Sequence, residues 1–356
     1  MLKDTQLFRE KISFLNFVGL HQRAANMLSQ KNSRIILSAD TLMQVLSKAF
    51  TPGIFRRTET QGRKNQNIPG TFEIDTPEGT CLAKQTTRIY PDYFISEESI
   101  REKCMRELTL VPGIGPKRTH DYRTKGVVTL TDLKNTRWQE SALEIADVIE
   151  NGTPKDIIRI FQDVHRGNDP LLLGFSHALP KDDLLYFDIE TLGMFQSPII
   201  LFGCGVWKDN ELTVTQYLLR DIEDEAAALY MTAQFFRKHA HVVTYNGKGF
   251  DVPYLNNRLT YYGEKTVRPD LHFDLLYPTR KLYKTDLPDC CLGTVEKYVL
   301  HTPRVNDLPG SLVPSYYQSY LRTRNSAYLS PILEHNELDV ANLATLLRTE
   351  CEAIYG

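Results

Sequence analysis

The sequence lacks the usual features of membrane, secreted and zinc-binding proteins. No uncharged apolar run approaches the ~20 residues that a membrane-spanning helix needs, and charges interrupt the apolar residues of the N-terminus. The six cysteines include no Cys-x-x-Cys pair and no Cys/His cluster with zinc spacing, so a structural zinc or an iron–sulfur cluster has no support. We therefore expect a cytoplasmic protein with reduced, mostly buried thiols and no membrane partner.

The sequence also has little net charge, but its charges are unevenly distributed. The formal net charge of the 356 residues is −2. Residues 1–180 hold 25 Lys and Arg against 21 Asp and Glu, whereas residues 181–356 hold 17 against 23. Residues 1–70 alone carry a net charge of +7, which suits contact with a phosphate backbone. A basic stretch is more often only a solvated surface, so charge by itself supports a nucleic-acid partner weakly.

Three regions follow from the pattern of apolar and turn-forming residues. Residues 1–70 form a basic, partly helical segment that ends in a polar linker. Residues 71–178 begin with an alternating pattern that predicts a small β-hairpin and continue with helical spacing. In residues 179–356, three successive strand patterns precede alternating helices and strands. We therefore predict an α/β fold with a ribonuclease H-like mixed sheet flanked by helices, preceded by a mainly helical region.

Two carboxylates share one face of the first strand in the last region. Asp188 and Glu190 lie two residues apart in LLYFDIET, so their side chains point to the same side. Beside a buried apolar run such a pair is unfavourable unless a cation neutralises it. Carboxylate oxygens suit Mg²⁺ or Mn²⁺, and two such ions can clamp the attacking water and the leaving oxygen of a phosphodiester. A solvated strand face is the alternative.

Two later segments add further candidates. Asp251 follows an apolar strand and a glycine-containing turn in VVTYNGKGFDVPYL, near the predicted start of a helix, where it would also serve as an N-cap. Asp339 lies on the apolar-periodic helix LEHNELDVANLATLL, and His335 stands one turn earlier on the same face. An ordinary surface position is the alternative for this second pair.

Taken in order, these segments resemble the exonuclease motifs of the DEDD superfamily. D-I-E-T, Y-N-G-K-x-F-D and H-N-x-x-D are similar to those of the YprB-like ribonuclease H-like family, and the similarity covers roughly residues 183–350. The resemblance implies a metal-dependent 3′–5′ exonuclease with a role in DNA repair or processing, and a helicase or repair protein as a partner. It also implies two Mg²⁺ or Mn²⁺ ions, bound by Asp188, Glu190, Asp251 and Asp339.

The resemblance implies roles for further positions. Asn246 and Arg280 are expected to contact nucleic acid, and Asp274 is a secondary candidate for the site. His335 is the expected general base, because an imidazole can accept the proton of the attacking water. It stands four residues before Asp339, whereas the histidine subclass of the superfamily has its histidine five residues before. Hydrogen bonding to the substrate, or simple packing, is therefore an alternative for His335.

A segment of the first half, LTLVPGIGPKRTHDYRTKGVVTLTDL, resembles a helix-hairpin-helix. Gly113 and Gly115 permit a tight turn, and N–H groups at the start of the following helix can hold a phosphate with help from Lys117 and Arg118. A glycine turn between packed helices is the alternative. Because this motif typically grips the DNA backbone, we expect DNA rather than RNA as the nucleic-acid partner.

Two other functions are compatible with the sequence. One is a non-catalytic nucleic-acid-binding protein on a ribonuclease H-like scaffold, and the presence of all four carboxylates counts against it. The other is an endonuclease or an RNA-directed nuclease that uses the same site.

Overall fold

A seven-stranded mixed sheet forms the centre of the structure. The computed structural model describes residues 68–165, 169–193, 197–305 and 307–356. The segment predicted over residues 1–70 lies outside this part of the chain, apart from its last three residues. The strands are β1 (Thr71–Thr76), β2 (Gly79–Ile89), β3 (Leu184–Thr191), β4 (Ile199–Lys208), β5 (Glu211–Leu218), β6 (His241–Thr244) and β7 (Leu271–Asp274). Their order across the sheet is β1-β2-β5-β4-β3-β6-β7.

Helices flank this sheet, and the combination confirms the predicted α/β class. The α-helices of the described residues are α1 (Glu97–Met105), α2 (Pro116–Arg123), α3 (Gln139–Asn151), α4 (Pro154–His165), α5 (Phe175–Ala178), α6 (Glu225–Lys238), α7 (Asp251–Tyr261), α8 (Leu276–Tyr283), α9 (Leu292–Tyr298), α10 (Val313–Thr323) and α11 (Ser330–Tyr355). None of the helices that the structure describes is both long and apolar enough to cross a membrane.

The strand directions bring two chain segments to one edge of the sheet. Strands β3, β4 and β5 pair antiparallel, as expected of three strands with short connections. Strand β6 pairs parallel with β3, and β7 pairs parallel with β6. Parallel strands need a crossover, and α6 and α7 supply the two crossovers here. Because β3 and β6 run in the same direction, the residues that follow them meet at one edge.

The predicted β-hairpin is confirmed, and it belongs to the same sheet. Strand β2 pairs antiparallel with β5 along eight positions, from Leu82 opposite Leu218 to Ile89 opposite Glu211. The hairpin thus covers the strand that would otherwise end the sheet on this side. Ile68–Gly356 form one compact unit. The division expected between residues 178 and 179 stays a prediction.

Alternation along β3 separates two apolar clusters, one on each face of the sheet. Leu185 and Phe187 belong to the cluster on one face, whereas Leu184 and Tyr186 belong to the cluster on the other. Residues of α11, from Val340 onward, pack in the second cluster. Side chains at even-numbered positions of β3 therefore point to the face that carries this part of α11.

Glycines on β4 allow α11 to lie close to the sheet. A Cβ atom at Gly205 would come within 2.8 Å of Val340 Cγ1, and a Cβ atom at Gly203 would overlap the side chain of Asn336. Both contacts would push the helix outward, since a packed interior does not absorb an added methyl group without strain. Small residues at these two positions therefore set the distance between α11 and the strands.

The hairpin also fixes the rotation of α11. Glu337 accepts hydrogen bonds from Lys84 at 3.2 Å and from Arg88 at 3.0 Å, both on β2. The Tyr90 hydroxyl donates to the Ala341 carbonyl at 3.0 Å. With this side of the helix bound to the hairpin, the positions next to Glu337 in sequence face other directions, including the edge where β3 ends.

Candidate active site

The end of β3 carries the first two predicted site residues. Asp188 and Glu190 lie on the same face as the buried Tyr186, as the two-residue period requires, and both are partly exposed. The pairing of β3 with β4 shifts register between Glu190 and Thr191. The strand thus becomes irregular directly after the second carboxylate, at the edge where the N-terminal part of α11 lies.

Helix α11 brings Asp339 and His335 to this edge. Nε2 of His335 lies 3.4 Å from Asp339 Oδ2 and 3.6 Å from Glu190 Oε1. One ligand atom from each of these three residues can be chosen so that all lie within 4.8 Å of one another. The one-turn spacing read from the sequence therefore places the histidine and the carboxylate on one face, as expected.

Asp251 joins the same group from the crossover after β6. It is the first residue of α7 and is 4% exposed. Its carboxylate accepts a hydrogen bond from the N–H of Ile189 at 3.2 Å, so it lies against β3 at the residue between Asp188 and Glu190 in sequence. Phe250, rather than Asp251, occupies the N-cap position of the helix. The N-cap alternative therefore does not account for Asp251.

Burial and mutual repulsion act on all four carboxylates. Burial raises the pKa of Asp188 well above its usual range, and the charges of Asp339, Asp251 and Glu190 raise it further. The pKa of Glu190 is raised well above its usual range for the same reasons. Burial also raises the pKa of Asp251 to about 7. A site of this kind favours bound protons or bound cations over bare negative charge.

A buried amide chain holds Asp188 in place. Asn336 is fully buried and donates its side-chain N–H to Asp188 Oδ2 at 2.8 Å. Gln216 on β5 donates to Asn336 Oδ1 at 2.9 Å, which fixes which end of the Asn336 amide faces the carboxylate. Asn336 stands within the H-N-x-x-D motif, but the sequence reading assigned it no role. Gln216 carries no local signal at all.

An arginine reaches the carboxylates from the loop between α9 and α10. Arg304 hydrogen-bonds Asp339, and its Nη1 donates to Asp307 Oδ2 at 2.9 Å. The fully buried Glu296 on α9 accepts two hydrogen bonds from the same guanidinium, one of them from Nε at 2.6 Å. Burial raises the pKa of Asp339, and the positive charge of Arg304 opposes this rise. The sequence reading missed all three supporting residues.

Asp274, the secondary candidate, supports a turn. Its carboxylate is 4% exposed and accepts N–H groups from Asn246 at 2.7 Å, Lys248 at 2.9 Å and Leu276 at 3.2 Å. These hydrogen bonds hold the turn that leads from β6 to Asp251. Asn246 is exposed in this turn, with a φ of 65°. The contacts explain the burial of Asp274 without a metal ligand role.

The segment predicted as a helix-hairpin-helix contains a tight turn at Gly113. The N–H of Ile114 donates to the Val111 carbonyl at 2.9 Å, and Gly113 has a φ of 91°. A Cβ atom at Gly113 would overlap Trp138, so only glycine fits here. Arg118 donates to the Gly113 carbonyl and so braces the turn.

The remaining predicted nucleic-acid contacts lie on the surface. Gly115 is the N-cap of α2, and Lys117 is exposed in the first turn of that helix. Arg280 is exposed on α8. Exposure makes these positions available to a ligand, and their binding role stays a prediction.

Comparison with known proteins places the carboxylates in a matched segment. Residues 185–350 match the RNase_H superfamily. The chain is also 36% identical over 183 residues to the uncharacterized protein YprB of Bacillus subtilis (strain 168). That alignment covers 49% of this chain and 44% of the relative, so the chain spans less than half the length of the protein it matches. The matched segment runs from β3 into α11 and contains all four carboxylates.

We predict that Asp251→Asn stabilises the metal-free protein at pH 8 more than at pH 5. Asp251 holds its proton up to about pH 7 when folded, whereas its ordinary pKa is 3.8. The contribution of Asp251 to the free energy of unfolding of the wild type therefore falls as the pH rises from about 4 to about 7, because only the unfolded chain has released this proton there. Urea denaturation in EDTA at both pH values measures the difference. Equal shifts at pH 5 and pH 8 would contradict the role of carboxylate charge.

Proposed function

We propose that this chain, whose residues 185–350 match the RNase_H superfamily and which is similar to YprB, is a divalent-metal-dependent nuclease. More specifically, we propose a 3′–5′ exonuclease that acts on DNA. The observation that carries the proposal is the convergence of Asp188, Glu190, Asp251 and Asp339 from three chain segments on one edge of the sheet. The polarity, the DNA substrate and a role in repair with a helicase or other partner rest on the resemblance of the motifs.

The donor set fits hard divalent cations. Four carboxylates with raised pKa values lie together, and carboxylate oxygens are the ligands that Mg²⁺ and Mn²⁺ prefer. Asp188, Glu190, Asp251 and Asp339 would hold two such ions. When bound, the ions would supply Lewis-acid activation of water and stabilise charge on the leaving oxygen. Neutralisation of the carboxylates would at the same time remove the repulsion described above.

His335 has the position of a proton acceptor. Its Nε2 faces the space between Glu190 and Asp339, where the attacking water would be oriented. Proton transfer to a positioned side chain contributes about 10²–10⁴-fold to a rate. The side chain is largely buried, at 12% exposure, so the acceptor nitrogen approaches one restricted region rather than bulk solvent.

The helix-hairpin-helix segment around Gly113 and Gly115 would bind the backbone of longer DNA. Lys117 is exposed at the N-terminus of α2, where backbone N–H groups and the helix dipole favour a phosphate. Such contacts hold the strand without reading its sequence. Asn246 and Arg280, both exposed, are the proposed contacts on the nuclease side.

We predict that the wild type shortens 5′-labelled single-stranded DNA from the 3′ end in Mn²⁺ or Mg²⁺ and is inactive in EDTA. Asp188→Asn and Asp339→Asn should reduce cleavage to the background level, because each replaces a proposed ligand. Glu334→Gln on the same helix is the matched control, because this glutamate is exposed and is not a proposed ligand, and it should retain activity within a few-fold. The assay is a time course of cleavage with three 5′-labelled substrates: single-stranded DNA, duplex DNA and RNA.

Each other outcome of this assay overturns a stated part of the proposal. Wild-type rates in both ligand variants would reject the metal site. Internal cuts would reject exonuclease action, and faster cleavage of RNA would reject the DNA preference. Binding of nucleic acid without any metal-dependent cleavage would favour the non-catalytic alternative.

We predict that Lys117→Gln weakens binding to duplex DNA and reduces its salt dependence. Each phosphate neutralised contributes about −0.9 to the slope of log K against log salt, so the slope should fall by up to about one unit. Lys208→Gln is the control. This exposed lysine is the last residue of β4, which lies next to the start of β3, whereas the carboxylates lie at the end of β3. Binding is measured across a salt series with the Asp188→Asn background. Identical slopes for both variants would reject the DNA-binding role of the helix-hairpin-helix segment and favour a purely structural turn.

A further inference from the structure

The loop between α9 and α10 places a carboxylate behind His335. Asp307 Oδ2 lies 2.9 Å from His335 Nδ1, on the opposite side of the ring from Glu190 and Asp339. Both ring nitrogens therefore have carboxylate neighbours, but only Nε2 faces the proposed metal ligands. We infer that Asp307 is a positioning residue that keeps a proton on Nδ1 and leaves the Nε2 lone pair directed at the site. The inference rests on the proposed function for its catalytic consequence alone.

The contacts of Nδ1 decide which nitrogen carries the proton. Asp307 is an acceptor when ionised, whereas Arg304 is only a donor, and its Nη1 lies 3.1 Å from Nδ1. The same Nη1 lies 2.9 Å from Asp307 Oδ2, so the N–H groups of Arg304 and His335 can both donate to this oxygen. Without a proton, Nδ1 would present its lone pair to a carboxylate. The carboxylates that face Nε2 are farther away, at 3.4 Å and 3.6 Å, so the Nδ1–H tautomer is favoured in the neutral ring.

Buried groups keep Asp307 in place. Its partner Arg304 is held by two hydrogen bonds to Glu296, which is fully buried. Asn342 on α11 donates to Glu296 Oε1 at 2.7 Å, which ties this arrangement to the helix that carries His335. A loop residue anchored in this way can fix a ring orientation, as second-shell carboxylates do for histidines in metal and acid–base sites.

The same loop places a glycine, with no side chain, next to Nε2. A Cβ atom at Gly310 would lie 3.3 Å from Nε2, closer than most such contacts, so the glycine keeps this edge of the ring open. The loop thus contributes a hydrogen-bond acceptor to one nitrogen and a residue without a side chain beside the other. Both features suit a histidine that accepts a proton at Nε2.

A second Asp–His pair in the chain provides a matched control. His165 Nδ1 lies 2.7 Å from Asp169 Oδ2, as in the Asp307 pair. Its Nε2, however, lies 3.0 Å from the Thr109 hydroxyl, in contact with a protein group rather than with the site. Asp169→Asn therefore makes the same chemical change in a pair whose second nitrogen is already occupied.

The test compares Asp307→Asn with Asp169→Asn in the full chain. Ring tautomers are read from ¹⁵N–¹H NMR of the metal-free protein at a pH where the rings are neutral, with His335→Gln used to assign the signal. Wild-type His335 should show Nδ1–H. In Asp307→Asn, the new amide can donate to Nδ1, so the Nε2–H form should appear. Asp169→Asn should leave the His335 signal unchanged.

Cleavage at saturating DNA and Mn²⁺ gives the second readout. Asp307→Asn should lower kcat by about 10²–10⁴-fold with KM nearly unchanged, because the ring can no longer accept a proton at Nε2. Asp307→Glu, which retains the acceptor, should restore part of kcat. Asp169→Asn should change kcat by no more than a few-fold.

The two readouts separate this inference from the proposed function. Nε2–H in the wild type, or an unchanged tautomer in Asp307→Asn, would overturn the positioning role whatever the enzyme activity. An unchanged kcat together with a changed tautomer would also overturn it, since the ring would then not act in catalysis. If the wild type cleaves no nucleic acid but the tautomer changes as expected, the ring-orienting role stands and the proposed nuclease activity fails.

Discussion

Repulsion among four carboxylates at the end of β3 is the constraint on which the rest of the site depends. Ionised carboxylates cannot be held together in a buried place unless donors or cations surround them. The protein meets this requirement with the Ile189 N–H on Asp251, the Asn336 amide on Asp188 and the Arg304 guanidinium on Asp339. These partners stabilise the charges only in part, because the carboxylate pKa values remain raised. The remaining negative charge is what a divalent cation would neutralise.

The supporting groups come from distant parts of the chain. Gln216 on β5 orients Asn336, and glycines on β4 let α11 approach closely enough for that contact. Lys84 and Arg88 from the hairpin bind Glu337 and so fix the helix from outside the matched segment. The region before β3 is therefore part of the structure that holds the site. A minimal nuclease fragment starting near residue 181 would lose the strand partner of β5 and these ion pairs.

Local periodicity explains which features the sequence predicted. The two-residue period of a strand placed Asp188 and Glu190 on one face, and the helical period did the same for His335 and Asp339. The alternating pattern of strands also predicted the β1–β2 hairpin and the mixed sheet, and the structure confirms both. Arg304, Asp307 and Gln216 act through contacts between residues far apart in sequence, for which a single sequence contains no periodic signal. The backbone N–H groups that Asp274 accepts were not indicated by the sequence either, and its place in the site stays a prediction.

The central claim is that these carboxylates form one divalent-metal site, and metal binding tests it without reference to any substrate. Isothermal titration calorimetry of the metal-free protein with Mn²⁺ is the most direct measurement. The account predicts saturable binding of two ions by the wild type and by Glu334→Gln, and loss of at least one ion in Asp188→Asn. Absence of saturable binding by the wild type, or identical binding by Asp188→Asn, would contradict it.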